Sequence, residues 1–132
     1  MAVKNEILQV AQECRLNAYA PYSEFKVGAA VLTVNNKVFV GCNVENASYP
    51  CGTCAEAGAI SAMIAAGEHC IAEILIIADT KCILPCGNCL QKIAEFGNAE
   101  TLIHSADLHG NIKTFTLQQL LPHNFDAGDM KC

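Results

Sequence analysis

Apolar positions Ile7, Leu8, Ala11 and Ala18 recur at helical spacing between about Lys4 and Tyr19, and Pro21 closes the segment. The chain is therefore predicted to open with an amphipathic helix. Residues 25–34 (FKVGAAVLTV) form a run rich in β-branched residues, Asn35-Asn36 supplies a tight turn, and Lys37 to Val44 returns as a second strand. Glu45 to Thr53 is polar and punctuated by Pro50 and Gly52, so it reads as a loop. Cys54 to Ala66 is apolar nearly all round and ends at Gly67, a suitable C′ residue. Such a helix is expected to be buried on most sides, and its Ala and Gly positions suit close approach by a neighbouring subunit. The unbroken apolar run Ile74 to Ala78 is the pattern of a fully buried strand. After a loop from Asp79 to Pro85, a helix runs from about Cys86 to Phe96 and closes at Gly97. Thr101 to His104 and Ile112 to Phe115 read as strands around a turn at Leu108 to Asn111, and a short helix spans Leu117 to Leu121 before Pro122. The order α-β-β-α-β-α-β-β-α predicts an α/β sheet with helices covering its faces.

Composition narrows the picture. The 132 residues fit one domain over 1–132 and bury about two-thirds of their unfolded surface. Apolar residues make up 52% and charged residues only 16%, against a usual ~25%, so part of the apolar excess is expected between subunits. Eight Lys+Arg against 13 Asp+Glu give a net charge of −5 with no basic run, which argues against a binder of nucleic-acid backbones. No apolar stretch approaches the ~18 residues of a membrane span, and the N-terminus lacks the apolar region of a signal peptide. A soluble, cytoplasmic protein is expected.

The nine cysteines then matter. Their odd number and the lack of an export signal argue against a disulfide framework, leaving metal ligation, a reactive thiol or plain packing. Cys86 and Cys89 stand three apart at a predicted helix start, about 60° apart around the axis, and can share one metal. Cys54 opens the other long helix, so packing the two N-termini together brings three thiolates to one point. Three protein ligands on Zn²⁺ leave one position for water, the mark of a catalytic site. The competing readings are a structural zinc clip completed by Cys51 or Cys82, and a redox Cys-x-x-Cys pair. Glu56, two residues after Cys54, disfavours the redox reading, because a carboxylate beside a thiolate opposes its formation; it suits a proton carrier beside a metal-bound water. The histidines at 69, 104, 109 and 123 are scattered without ligand spacing, and Cys14, Cys42, Cys51, Cys70, Cys82 and Cys132 are read as packing residues or incidental thiols.

Cys-Ala-Glu at 54–56, followed 29 residues after Glu56 by Pro-Cys-x-x-Cys at 85–89, resembles the zinc-dependent cytidine deaminases in their three-cysteine form. The stretches 19–23 (YAPYS), 25–30 (FKVGAA), 41–47 (GCNVENA) and 120–125 (LLPHNF) are similar to the small homotetrameric members, over nearly the whole chain. The resemblance implies one three-layer α/β/α domain with a mixed five-stranded sheet. It implies one Zn²⁺ per chain on Cys54, Cys86 and Cys89, and hydrolytic deamination of cytidine and 2′-deoxycytidine in pyrimidine salvage. In that scheme zinc activates a water for attack on C4, and Glu56 carries protons to N3 and to the departing amino group. Asn43 and Glu45, two apart on an extended segment, match the pair that holds the ribose 3′-hydroxyl; Phe25 matches the aromatic residue packed on the pyrimidine. Ala47 and Ala55 fall at base-contacting positions. Tyr49 and Phe125 match residues that enter the pocket from neighbouring subunits, so the resemblance implies a homotetramer with shared sites.

The chain departs from that pattern where many three-cysteine members carry arginine: here stand Ala57, directly after Glu56, and Leu90, directly after Cys89. Three thiolates on Zn²⁺ leave a net charge of −1, and a bound hydroxide makes it −2. Without the arginines, the free N–H groups of the two helix N-termini are expected to offset the charge at sulfur. Two other readings stay open: a deaminase of a modified cytosine nucleoside or related aminopyrimidine, and a non-catalytic zinc-stabilised interaction module.

Overall fold

The structure, a computed structural model, describes residues 2–130, so Cys132 lies outside the described residues. Helix α1 (Ala2–Arg15) leads into the strands β1 (Val27–Thr33) and β2 (Val38–Cys42). Then follow helix α2 (Ala55–Ala65), strand β3 (Ile71–Ala78) and helix α3 (Gly87–Phe96). Strands β4 (Leu102–Ala106) and β5 (Ile112–Thr116) and the short helix α4 (Leu117–Leu120) complete the predicted order. Single 3₁₀ turns at Tyr49–Cys51 and Ala127–Met130 lie in segments without a predicted element.

The five strands form one sheet in the order β2-β1-β3-β4-β5. Only β3 and β4 run parallel, joined by the α3 crossover; every other neighbour pair is antiparallel. Side-chain alternation sorts the core into two layers. Ile7 and Ala11 of α1 pack on Ala30, Leu32, Leu75, Ile77 and Ala106 from one face. Ala59, Met63, Leu90, Ile93 and Leu117 cover Ala29, Val31, Ile74, Ile76 and Ile103 from the other. The sheet is therefore mixed and covered on both sides, as expected.

Glycine makes two of these contacts possible. A Cβ at Gly28 would lie 2.3 Å from the Ala11 carbonyl, so α1 rests directly on β1. A Cβ at Gly41 would lie 2.4 Å from both the Ala55 carbonyl and the Ala59 nitrogen, so α2 rests directly on β2. The second contact fixes the height of the α2 N-terminus above the sheet.

Several boundaries differ from expectation for tertiary reasons. The first helix ends at Arg15, not near Tyr19, because Tyr19 is drawn into a bridge with Val44: its N–H donates to the Asn43 carbonyl, and its own carbonyl accepts the Glu45 N–H. β3 begins at Ile71, ahead of the predicted Ile74, because Thr33 of β1 pairs with Ile71. Gly97 does close α3, but with φ of −122° its role is space: a Cβ there would lie 2.5 Å from Thr101 Oγ1. Gly67, by contrast, takes φ of +88° after α2, as a C′ glycine does. α2 is less enclosed than its apolar sequence suggests, since Ser61 and Ala65 are exposed and Ala57 and Ile64 only half-buried.

Candidate active site

Cys54 and Cys86 are the N-cap residues of α2 and α3, and Cys89 lies in the first turn of α3. Their three Sγ atoms lie within 4.8 Å of one another. A tetrahedral zinc with Zn–S of 2.3 Å places its sulfurs about 3.8 Å apart, so the cluster fits the ion after only a small contraction. Among the described residues, no fourth Cys, His, Asp or Glu joins the group. Cys51 and Cys82, the candidates for completing a structural clip, stay outside it.

Glu56, the second residue of α2, is 5% exposed and lies against Cys89. Burial pushes its carboxyl up, while its own backbone N–H, Cys89 and the charge of Lys92 pull the other way. The thiols divide by environment. Cys86 is held below the usual thiol range, first by the N–H of Cys89 and also by that of Asn88, both in the opening turn of α3. Burial raises Cys54 and Cys89, and the Glu56 carboxylate adds to the rise at both. N–H compensation is thus present at Cys86, as expected from the helix N-terminus. At Cys54 the favourable charge is instead Lys92, one turn further along α3, whose ammonium donates to Asn88 Oδ1. Leu90 is committed to the core and contributes no charge.

A second group of predicted residues meets beside this cluster. Val44 and Thr53 exchange two backbone hydrogen bonds of 2.9 Å, closing the loop 45–52 and returning the chain to Cys54 next to where Glu45 departs. Asn43 Oδ1 accepts the Val27 N–H and its Nδ2 donates to the Phe25 carbonyl, both at 2.9 Å. Glu45 Oε1 accepts the N–H groups of Tyr22 at 2.9 Å and Ser23 at 3.1 Å, while Oε2 accepts the Ser23 hydroxyl. The Ser23 hydrogen bonds hold the Glu45 carboxyl below its ordinary value. Among the described residues, one Asn43 N–H and one Glu45 Oε2 lone pair remain unengaged. A hydroxyl group, which both accepts and donates, can use one group of each kind.

The remaining predicted residues are more dispersed. Phe25 is 37% exposed, so it is not a core phenylalanine. Ala55 is buried at the start of α2, and Ala47 is exposed in the loop. Tyr49 is exposed and packs its ring 6.0 Å from that of Tyr22. With Ser23, Glu45, Asn46 and Gly52, these two tyrosines line a pocket of about 330 Å³. Phe125 stands apart from it, exposed, its carbonyl held by Gln91 Nε2 at 2.7 Å. Ser23, Gln91 and Lys92 lie outside the residues expected at the site; the place of Ser23 two residues before Phe25, within 19–23, is the signal the chain carries for it.

Comparison with known proteins agrees with this geometry. Residues 1–105 match the family model described as the cytidine and deoxycytidylate deaminase zinc-binding region. A cytidine deaminase of Halalkalibacterium halodurans is 41% identical over 125 residues, covering 94% of this chain and 95% of that protein. One from Mycobacterium tuberculosis is 36% identical over 121 residues, covering 91% and 87%. Among solved structures, the cytidine deaminase of Burkholderia pseudomallei superposes with a TM-score of 0.87 at 40% identity, over 92% of this chain and 98% of that one. The match of sequence, fold and thiol cluster assigns the chain to the zinc-binding cytidine and deoxycytidylate deaminase family.

Proposed function

We propose that this protein is a zinc-dependent hydrolase that converts cytidine and 2′-deoxycytidine to the corresponding uridines and ammonia. The observation that carries the reading is the convergence of three thiols from two helix N-termini with a buried carboxyl beside them. Cys54, Cys86 and Cys89 would hold the ion, which would supply Lewis-acid activation of a water at neutral pH. Glu56 moves the protons. Burial raises its carboxyl, which suits it to take a proton from water, pass it to the ring nitrogen N3, then take the proton of the new C4 hydroxyl and deliver it to the departing amino group as the C4 carbonyl forms. The low-dielectric surroundings of Glu56 strengthen each of these contacts.

Asn43 and Glu45 hold the sugar 3′-hydroxyl between the remaining N–H and the remaining lone pair. Phe25 packs on the pyrimidine, and the backbone at Ala47 and Ala55 borders the base. A free nucleoside suits this pocket better than a nucleotide. The cavity beside Glu45 carries that carboxylate and no cationic side chain from this chain, so a phosphate next to the sugar-facing carboxylate would meet repulsion without a partner. The deaminase of a modified aminopyrimidine nucleoside uses the same machinery and differs only in the base edge it accepts.

The chain acts as one catalytic domain and associates with copies of itself. The exposed side chains of Tyr49 and Phe125, and the open face of α2 at Ser61 and Ala65, support a homotetramer in which neighbours complete each other's pockets. Among the described residues, no helix is long and apolar enough to cross a membrane. A cytoplasmic enzyme is part of the proposal, on its resemblance to the small cytidine deaminases. The test is a substrate panel on purified, zinc-loaded protein: cytidine, deoxycytidine and deoxycytidylate, with ammonia and uridine quantified and the mass in solution measured. Nucleoside turnover with little nucleotide turnover is expected. Preference for deoxycytidylate, or no ammonia from any substrate, contradicts the reading.

A further inference from the structure

We propose that Ser23 is a positioning residue that sets substrate affinity by aiming the one free lone pair of Glu45 at the nucleoside sugar. The inference rests on the proposed function and adds a residue to it. Glu45 is half-buried at the end of an extended segment, but the side chains of Ser23, Asn46 and Tyr49 around it are all exposed. Hydrogen bonds are therefore the specific contacts that orient the carboxylate. Among the described residues, all three of its side-chain bonds come from residues 22 and 23. The two backbone donors share Oε1 and fix where that oxygen sits. The Ser23 hydroxyl alone engages Oε2, and so decides which direction is left for a ligand.

The same hydroxyl has a second duty. Ser23 Oγ accepts the Phe25 N–H at 3.0 Å, across Glu24, which stands in the left-handed region at φ of +58°. A non-glycine residue at positive φ is held there by its surroundings, not by preference. Ser23 Oγ spans this turn and ties together Glu45, which faces the sugar, and Phe25, which faces the base. A single oxygen thus donates to one substrate-facing residue and accepts from the backbone of the other.

The experiment compares kcat and KM for cytidine and for 3′-deoxycytidine in the wild type, Ser23→Ala and Ser23→Thr, all zinc-loaded and checked for an unchanged thermal midpoint. Ser23→Ala is expected to lose about tenfold in kcat/KM on cytidine, mainly through KM, and only about two- to threefold on 3′-deoxycytidine, where the tie to the Phe25 backbone alone is lost. Ser23→Thr, which keeps the hydroxyl, restores most of the cytidine activity. An equal loss on both nucleosides shows a structural role only and overturns the proposal, as does an alanine variant that loses nothing on cytidine. A wild type that turns over cytidine and 3′-deoxycytidine alike also overturns it, because Glu45 then holds no sugar hydroxyl. A wild type that deaminates neither nucleoside is a different failure, since it removes the proposed function itself and this inference with it.

Discussion

Asn43 Nδ2 donates to the Phe25 carbonyl at 2.9 Å, so the side chain expected to face the sugar also fixes the backbone of the residue expected to face the base. Its Oδ1 accepts the Val27 N–H at the same distance, which makes Asn43 the clamp where β1 begins. Removing it strands the part-buried Val27 N–H and leaves the exposed Phe25 carbonyl to water. Asn43→Ala is expected to destabilise the fold by about 1–3 kcal/mol, besides raising KM. Asn43→Asp keeps the acceptor but turns a donor into an oxygen facing the Phe25 carbonyl, and is expected to be no better. Urea unfolding midpoints of the two variants check this, and a midpoint equal to wild type for both contradicts it.

Gly41 sets where the catalytic helix can sit. A Cβ at this position would strike the α2 backbone at Ala55 and Ala59, and backbone cannot rotate aside as a side chain can. Gly41→Ala should therefore lift the N-terminus of α2, carrying Cys54 and Glu56 with it. A loss of about 1–3 kcal/mol in stability is expected, together with a large fall in activity. Thermal melts and turnover measured on the same preparation test both parts, and full activity in the variant would show that α2 tolerates the displacement.

Much of the architecture was legible in the chain because local period dictates it. β3 shows one apolar run buried on both faces, and the residues of α1 that reach the sheet, Ile7 and Ala11, were already marked by their spacing. The boundaries that moved, at Arg15 and Ile71, moved through pairing with residues distant in sequence, which period does not encode. The site divides in the same way. Cys54, Glu56, Cys86 and Cys89 could be read because each lies at the start of a predicted helix. The Ser23–Glu45 and Asn43–Phe25 contacts join residues 22 and 18 positions apart, and no pattern in either segment announces them.

Glu68 offers a test of stability against pH. It ties the β1–β2 turn to the end of α2, accepting from Asn35 Nδ2 at 3.0 Å and pairing with Lys37 Nζ at 3.3 Å. Hydrogen bonds from Asn35 and Thr33, with Lys37 beside them, hold its carboxyl below the ordinary value of 4.5. A carboxyl depressed by folding stabilises the native state above its unfolded value, and that contribution fades as pH falls through the lower folded value. Glu68→Gln should therefore lower the thermal midpoint at pH 7 and leave it little changed well below the folded value. A difference that grows toward acid pH would reverse the sign and contradict the assignment.

Lys92 is the cation whose charge favours ionised Cys54 and Glu56. Binding Zn²⁺ to three neutral thiols with loss of three protons takes the site from 0 to −1, so a nearby positive charge favours the loaded state. Lys92→Gln is expected to weaken apparent zinc affinity at pH 7 about two- to fivefold, the size of one solvent-screened charge. Lys92→Arg should retain it. Competition with a chromogenic chelator at low and high salt measures the effect, which should shrink at high salt; identical affinities for Lys92→Gln and wild type at low salt would show that the helix N–H groups suffice.

The pairing of a three-thiol ion site with the buried Glu56 carboxyl is tested most directly by cytidine turnover in Glu56→Gln, with zinc content determined on the same sample. The expected result is one zinc per chain in both proteins and a fall in kcat of about 10²- to 10⁴-fold in the variant. Turnover equal to wild type in a fully zinc-loaded Glu56→Gln protein would contradict the account.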